Sequence, residues 1–302
     1  MTLKTPLFAA ILAALLCAPA FAQKAPSTPA AKQPSQREIW NAPAEPFHVI
    51  DKVYSVGPAG LAAYLFKTQD GLILLDGALP ESASQIEANI QKLGFKLSDV
   101  KILLNSHAHF DHSGGLAQLK KATGAKLYAM DADASALEGG VYVGSESDKS
   151  LSAPPVKVDK VLRDGDTVSL GGVTLKAHLT PGHSPGCTSW GQTVQHQGKS
   201  YELLVFCSAT VAANRITPPL QYPGIVEAYR KTFAKSKAMK VDVFLAPHPE
   251  FFDMAGKRAK LKDGAPNPFI NPGEFQPFIE KLEASFEKTL AERTAAMKPA
   301  KP

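Results

Sequence analysis

The chain is poor in cysteine and has no clustered charge or long apolar run. Three cysteines are too few for a disulfide-stapled miniature scaffold, and 302 residues can bury a full core without one. No block of five or six like charges occurs, and the formal net charge is only +5. That excludes an acidic tail or a basic stripe, so no nucleic-acid partner is expected. No apolar run reaches the roughly 18 residues needed to span a bilayer. Nothing marks an extended partner surface either, and a monomer is expected.

The N-terminus does carry a short apolar run, Leu7 to Leu16, after Lys4 and before Ala20-Phe21-Ala22. A charged start, a short apolar core and an A-x-A end describe a secretory signal peptide over residues 1–22. The mature protein is then periplasmic and without stable membrane association; an uncleaved anchor is the alternative. Cys17 does not suggest a lipoprotein, because Leu16 stands where a small residue is usual. Removal after Ala22 leaves Cys187 and Cys207. Two cysteines in an exported chain invite one disulfide, with two buried thiols as the alternative.

Residues 23–39 are rich in Pro, Ala, Lys and Ser and read as a disordered tether. One folded domain is expected over 40–294, and the Ala-, Lys- and Pro-rich end, 295–302, should fray. Inside the domain, strands are expected at Phe47–Val56, Leu61–Lys67, Gly71–Leu75, Val100–Leu104 and Ala125–Ala129. More follow at Thr167–Leu170, Val173–His178, Thr188–Val194, Glu202–Cys207 and Val241–Leu245. Helices fit Ser82–Leu93, Ser113–Lys121, Val226–Ser236 and Gly273–Glu292. Periodicity therefore gives α+β or a layered α/β sandwich.

Chemistry concentrates in His107-Ala108-His109-Phe110-Asp111-His112, directly after an apolar strand. In extended backbone, residues two apart face the same side, so His107 and His109 can chelate one ion. Asp111 and His112 can face a second. Imidazole nitrogen and carboxylate oxygen are ligands of open, catalytic zinc sites. A pair of ions needs further ligands. His183, in Thr180-Pro181-Gly182-His183-Ser184-Pro185-Gly186, and His248, in Ala246-Pro247-His248-Pro249, both follow strands. His48, His178 and His196 sit within strand patterns or beside glycine and read as packing or surface residues.

H-x-H-x-D-H after a strand, then an isolated Gly-His and a final Pro-His, resembles the metallo-β-lactamase superfamily. Glu45-Pro46-Phe47, Gly182-His183-Ser184-Pro185-Gly186, His248-Pro249-Glu250-Phe251-Phe252 and Asn267-Pro268-Phe269 are most similar to its B3 subclass. The resemblance implies a four-layer αβ/βα sandwich with two zinc ions on one edge. One ion falls to His107, His109 and His183, the other to Asp111, His112 and His248. It also implies hydrolysis of the amide of a small β-lactam by a hydroxide that the ions activate, with Asp111 orienting it, and hence antibiotic resistance. Ser208 and Thr210 match positions whose hydroxyls hold the substrate carboxylate, and Asn214 is a candidate carbonyl-polarising donor. The polar loop from Ala136 to Pro154 could fold over the site as a lid or be a surface excursion.

Rival readings are weaker. Gly182–Gly186 also matches the serine-hydrolase elbow G-x-S-x-G. However, the residue after the nucleophile must donate its N–H, and Pro185 has none. Ser98-Asp99-Val100-Lys101 and Ser285-Phe286-Glu287-Lys288 match S-x-x-K without the companion segments of serine β-lactamases. Lactonases and glyoxalase-II-like thioesterases share H-x-H-x-D-H but typically carry a bridging Asp after the strand that ends here at Cys207. Val205–Thr210 contains no carboxylate, which favours a lactamase. A non-catalytic periplasmic zinc-binding protein is a third reading. The disulfide, if formed, is Cys187–Cys207.

Overall fold

The computed structural model describes residues 1–2 and 33–297; nearly all of the expected signal peptide and most of the expected tether lie outside them. The architecture that follows is that of the unit from Ser35 onward. Helix α1 (Gln36–Trp40) opens it, followed by strands β1 (Phe47–Ile50), β2 (Val53–Ser55), β3 (Tyr64–Lys67) and β4 (Leu72–Leu75). Next come α2 (Ala83–Lys92), β5 (Val100–Leu104), α3 (Phe110–Ser113), α4 (Leu116–Thr123), β6 (Lys126–Met130), α5 (Asp131–Gly139) and β7 (Lys160–Leu162). The second half is β8 (Thr167–Leu170), β9 (Val173–Leu179), β10 (Thr188–His196), β11 (Lys199–Val205), α6 (Ile225–Lys237), β12 (Val243–Leu245), α7 (Met254–Lys260) and α8 (Phe275–Ala296).

The strands form two sheets. One has seven strands in the order β1 to β7, antiparallel from β1 to β4 and parallel from β4 to β7. The other has five, in the order β12-β11-β10-β9-β8, with β11 and β12 parallel. Leu72-Ile73-Leu74-Leu75 shows why they pack as layers. Successive side chains point to opposite faces, and here all four are buried. Ile73 and Leu75 face the core between the sheets with Leu175, Trp190 and Val205. Leu72 and Leu74 face Ile86 and Ile90 of α2 and Leu116 and Leu119 of α4. On the far side, Tyr229 and Phe233 of α6 meet Phe286 of α8. The layers run helix, sheet, sheet, helix. Among the described residues, no helix is long and apolar enough to cross a membrane.

Four local expectations change. The strand expected over Phe47–Val56 is a hairpin, turned at Asp51 with φ of 48°. The tether ends earlier than its composition suggests. Ser35 and Glu38 form a capping box, and Arg37 pairs with Glu81 at 2.5 Å, so residues 36–40 are helical. At the C-terminus, α8 continues through Ala296, beyond the expected fraying point. The segment from Ala136 begins inside α5, and the chain after it is braced at one place, where Arg215 donates to Gly144 O at 2.6 Å and Gln221 to Val143 O at 2.6 Å; residues 146–150 beyond are exposed.

Candidate metal centre

The site forms where strands end. β5 lies between two parallel neighbours, and ligand sites in such sheets gather at carboxyl ends. Asn105-Ser106-His107 follows β5 directly. His183 follows β9, Ser208 and Thr210 follow β11, and His248 follows β12. Past His109 the chain turns helical at once, as α3 begins at Phe110. The N–H of His112 and the hydroxyl of Ser113 both donate to His109 O, at 2.9 Å each. Thus His107 and His109 leave an extended segment while Asp111 and His112 leave a helical turn. Four side chains in two backbone conformations face two directions.

The structure brings all six together. Ligand atoms of His107, His109 and His183 lie within 4.8 Å of one another, as do those of Asp111, His112 and His248. The groups adjoin, with the His107 and His112 rings 4.3 Å apart. In the second group, Nε2 of His112 stands 3.2 Å from Nε2 of His248, and Asp111 Oδ2 is 3.3 Å and 3.5 Å from them. Tetrahedral zinc with ligands at about 2.0–2.1 Å sets its ligands about 3.3–3.4 Å apart, so these edges fit such an ion. In the first group, Nε2 of His107 is buried without a hydrogen-bond partner, as an atom reserved for a cation would be. His183 donates from Nδ1 to Thr210 O at 2.8 Å, which leaves its Nε2 lone pair free. The donor set suits a borderline-soft divalent ion.

Electrostatics agrees with cation binding. Burial, with the neighbouring imidazoles, holds His107 and His109 well below the usual imidazole range. Burial takes His183 down to about 4. All three are therefore neutral at neutral pH, the form in which an imidazole can hold a cation. For Asp111, burial pushes upward, but His112 and the hydrogen bonds from His112 and His248 outweigh it and hold the carboxyl well below its usual range. For His112, burial pushes downward, and Asp111 and Asp76 outweigh that. Asp76 also accepts from Asn105 Nδ2 at 3.0 Å and from the Ser106 N–H at 2.6 Å, bracing the approach to the cluster.

The three expected substrate contacts separate. Thr210 is half-buried, with its hydroxyl 3.2 Å from Ser208 Oγ and 3.3 Å from His183 Nδ1. Ser208 is 1% exposed and lies behind it. Asn214 is not placed as a carbonyl-polarising donor. It is buried, and its amide donates to His183 O at 2.8 Å and to Tyr229 OH at 3.1 Å, while its carbonyl accepts from Tyr142 OH. It holds the His183 loop instead. Cys187 and Cys207 are bonded, and the Cys207 sulfur lies 3.5 Å from Nδ1 of His107.

Sequence reading missed several neighbours. Tyr142 stacks on the His109 ring at 4.1 Å and 14°. Trp40 of α1 stands 5.8 Å from the His248 ring. Asp133 accepts from the N–H of Ala108, between His107 and His109. For Asp76, a carboxylate at a strand end in Leu-Leu-Asp-Gly was the available signal. Tyr142 and Asp133 had none.

A buried, metal-ready cluster at the edge of a helix–sheet–sheet–helix sandwich defines a metallo-hydrolase class. The chain belongs to the metallo-β-lactamase superfamily, whose sequence profile matches residues 56–195. Within it, the chain is similar to BJP-1, a subclass B3 metallo-β-lactamase of Bradyrhizobium japonicum, at 54% identity and a TM-score of 0.85, covering 86% of this chain and 99% of that one. It is similar also to FEZ-1, a metallo-β-lactamase from Legionella gormanii, at 39% identity and a TM-score of 0.81, covering 84% and 98%. A hydroxyacylglutathione hydrolase of Rhodospirillum rubrum is 29% identical over 107 residues, 35% of this chain and 34% of that protein. The chain spans 38%, 34% and 62% of the lengths of the first three curated relatives it matches. It is a hydrolase.

Proposed function

We propose that the protein hydrolyses the amide bond of β-lactams with two zinc ions, one held by His107, His109 and His183 and the other by Asp111, His112 and His248. The carrying observation is that both ligand groups are complete and adjoining in a chain 54% identical to a subclass B3 metallo-β-lactamase over 99% of that protein. Zinc bound there supplies Lewis acidity for the lactam carbonyl and lets water lose its proton near neutral pH. Asp111 turns Oδ2 to the two imidazoles, leaving Oδ1 to accept a hydrogen bond from the attacking water and so orient it. The Thr210 hydroxyl can donate to the substrate carboxylate. Tyr142 and Trp40 wall the site beside His109 and His248. The signal-like N-terminus and the buried disulfide support a periplasmic enzyme that protects its cell from β-lactam antibiotics.

A thioesterase of the hydroxyacylglutathione hydrolase kind is the second reading, raised by the 107-residue match to such a protein. The stretch after β11 speaks against it. In place of a carboxylate it brings Cys207, bonded to Cys187, beside His107. The test is hydrolysis of a chromogenic cephalosporin, a penicillin, a carbapenem and a glutathione thioester, each with and without EDTA. We expect ring opening that EDTA abolishes and no thioester cleavage. Ring opening that persists in excess EDTA, or thioester cleavage without ring opening, overturns the proposal.

A further inference from the structure

We infer that Asp133 is a positioning residue that sets the geometry of the first zinc site by tying the His107–His109 segment to the His183 loop. This rests on the reading that these three histidines hold a metal. Asp133 sits in the first turn of α5, 1% exposed. Its Oδ2 accepts from the Ala108 N–H at 2.9 Å and from the Ser184 hydroxyl at 2.8 Å; its Oδ1 accepts from the Gly186 N–H at 2.6 Å. The donors lie 25, 51 and 53 residues away. Ala108 stands between two of the ligands, and Ser184 follows the third.

Burying a carboxylate is costly unless hydrogen bonds compensate it. Here the compensation comes entirely from the backs of the two ligand-bearing segments. Each bond is charge-assisted and directional, so a shift of either segment breaks at least one. The approach is also close. A side-chain carbon at Gly186 would stand 2.6 Å from Cγ of Asp133, so only glycine lets the loop come near enough for its N–H to reach the carboxylate. A helix-dipole role would need none of this. Asp131, in the same turn, serves that role equally. The histidine rings carry the lone pairs; Asp133 fixes the distance between the backbones that present them.

The test is zinc affinity of the metal-free, full-length protein, measured by competition with a chromophoric chelator. A His248→Ala background removes one ligand of the second group, so the reading reports on the first. Asp133→Asn keeps the shape but turns one acceptor oxygen into a donor facing the N–H groups. We expect its zinc affinity to fall about 10–100-fold, as loss of an outer-sphere partner does. Ser184→Ala, which removes one of three donors and leaves the fold intact, should lower affinity in the same direction by less. Asp159→Asn is the control for general destabilisation. That carboxylate accepts from the Leu127 N–H and pairs with Lys120, away from the site. It should lower the melting temperature without moving zinc affinity. Unchanged affinity in both Asp133→Asn and Ser184→Ala overturns the inference, as does an equal fall in Asp159→Asn. If the parent binds no zinc, the metal reading itself fails, and the inference with it.

Discussion

The Nε2 atoms of His112 and His248 face each other at 3.2 Å across 136 residues of chain, and Asp111 Oδ2 lies within 3.5 Å of both. Two imidazole nitrogens and a carboxylate oxygen at these distances form a hydrogen-bonded triangle whose edges also match the ligand separations around one zinc ion. Replacing His248 with Ala should therefore drop bound zinc from two equivalents to one, measured by elemental analysis after gel filtration. Hydrolysis should fall by more than the 10–100-fold that loss of an outer partner costs. Two equivalents retained would place the second ion elsewhere.

The metal-free protein should lose stability in mild acid. His183 is held down at about 4 by burial, against about 6.5 in an unfolded chain. Between those values the unfolded state binds the proton and the native state does not, so stability falls as pH falls through that window. A shift of this size corresponds to about 3 kcal/mol. His107 and His109 act in the same direction; His112, whose affinity for a proton is raised, and Asp76, pushed up to about 6 by burial, act against them. The melting temperature of EDTA-treated protein should drop steadily from pH 7 to pH 5. A flat profile would mean that these imidazoles are solvated in the metal-free state.

Cys187 and Cys207 should resist alkylation in denatured, unreduced protein. Both sulfurs are fully buried, and the bond spans 20 residues between the His183 loop and the end of β11. A loop of that length restrains the unfolded chain by about 3 kcal/mol in the chain-entropy account. Cys187→Ser/Cys207→Ser should lower stability by that order, read from urea unfolding. Two titratable thiols in the wild-type protein would refute the bond.

What could be read from the sequence was local. The run Val100–Leu104, apolar and buried except at the exposed Lys101, and the His/Asp cluster behind it carry their meaning in consecutive residues. His183 and His248 were found by their position after strands. What escaped acts through contacts distant in sequence. Asp133 meets Ala108 and Gly186, and Tyr142 meets Asn214 at a separation of 72 residues. Helix α5, Asp-Ala-Asp-Ala-Ser-Ala-Leu-Glu-Gly, has too few apolar residues to show a period; its buried Ala136 and Leu137 are placed by the sheet beneath. Asn214 was misplaced for a related reason. Its chemistry suits an amide donor at a substrate carbonyl, and only the fold shows its hydrogens already spent.

That difference between Asn214 and Thr210 can be measured. Asn214 joins Tyr142, Tyr229 and the His183 carbonyl in one buried array. Asn214→Ala strands two of these partners without replacement, at a cost of roughly 2–4 kcal/mol. The amide does not face substrate, so KM should change little while kcat and the melting temperature fall together. Thr210→Val should behave in the opposite way. It keeps volume and removes one half-buried hydroxyl, so stability should hold. Loss of a charge-assisted bond to the substrate carboxylate, worth about 1.5–3 kcal/mol, should lower kcat/KM by about 10–100-fold, chiefly through KM. Steady-state kinetics on one cephalosporin, with melting curves for both variants, separates the two roles. A KM effect confined to Asn214→Ala would return that residue to the substrate pocket and remove Thr210 from it.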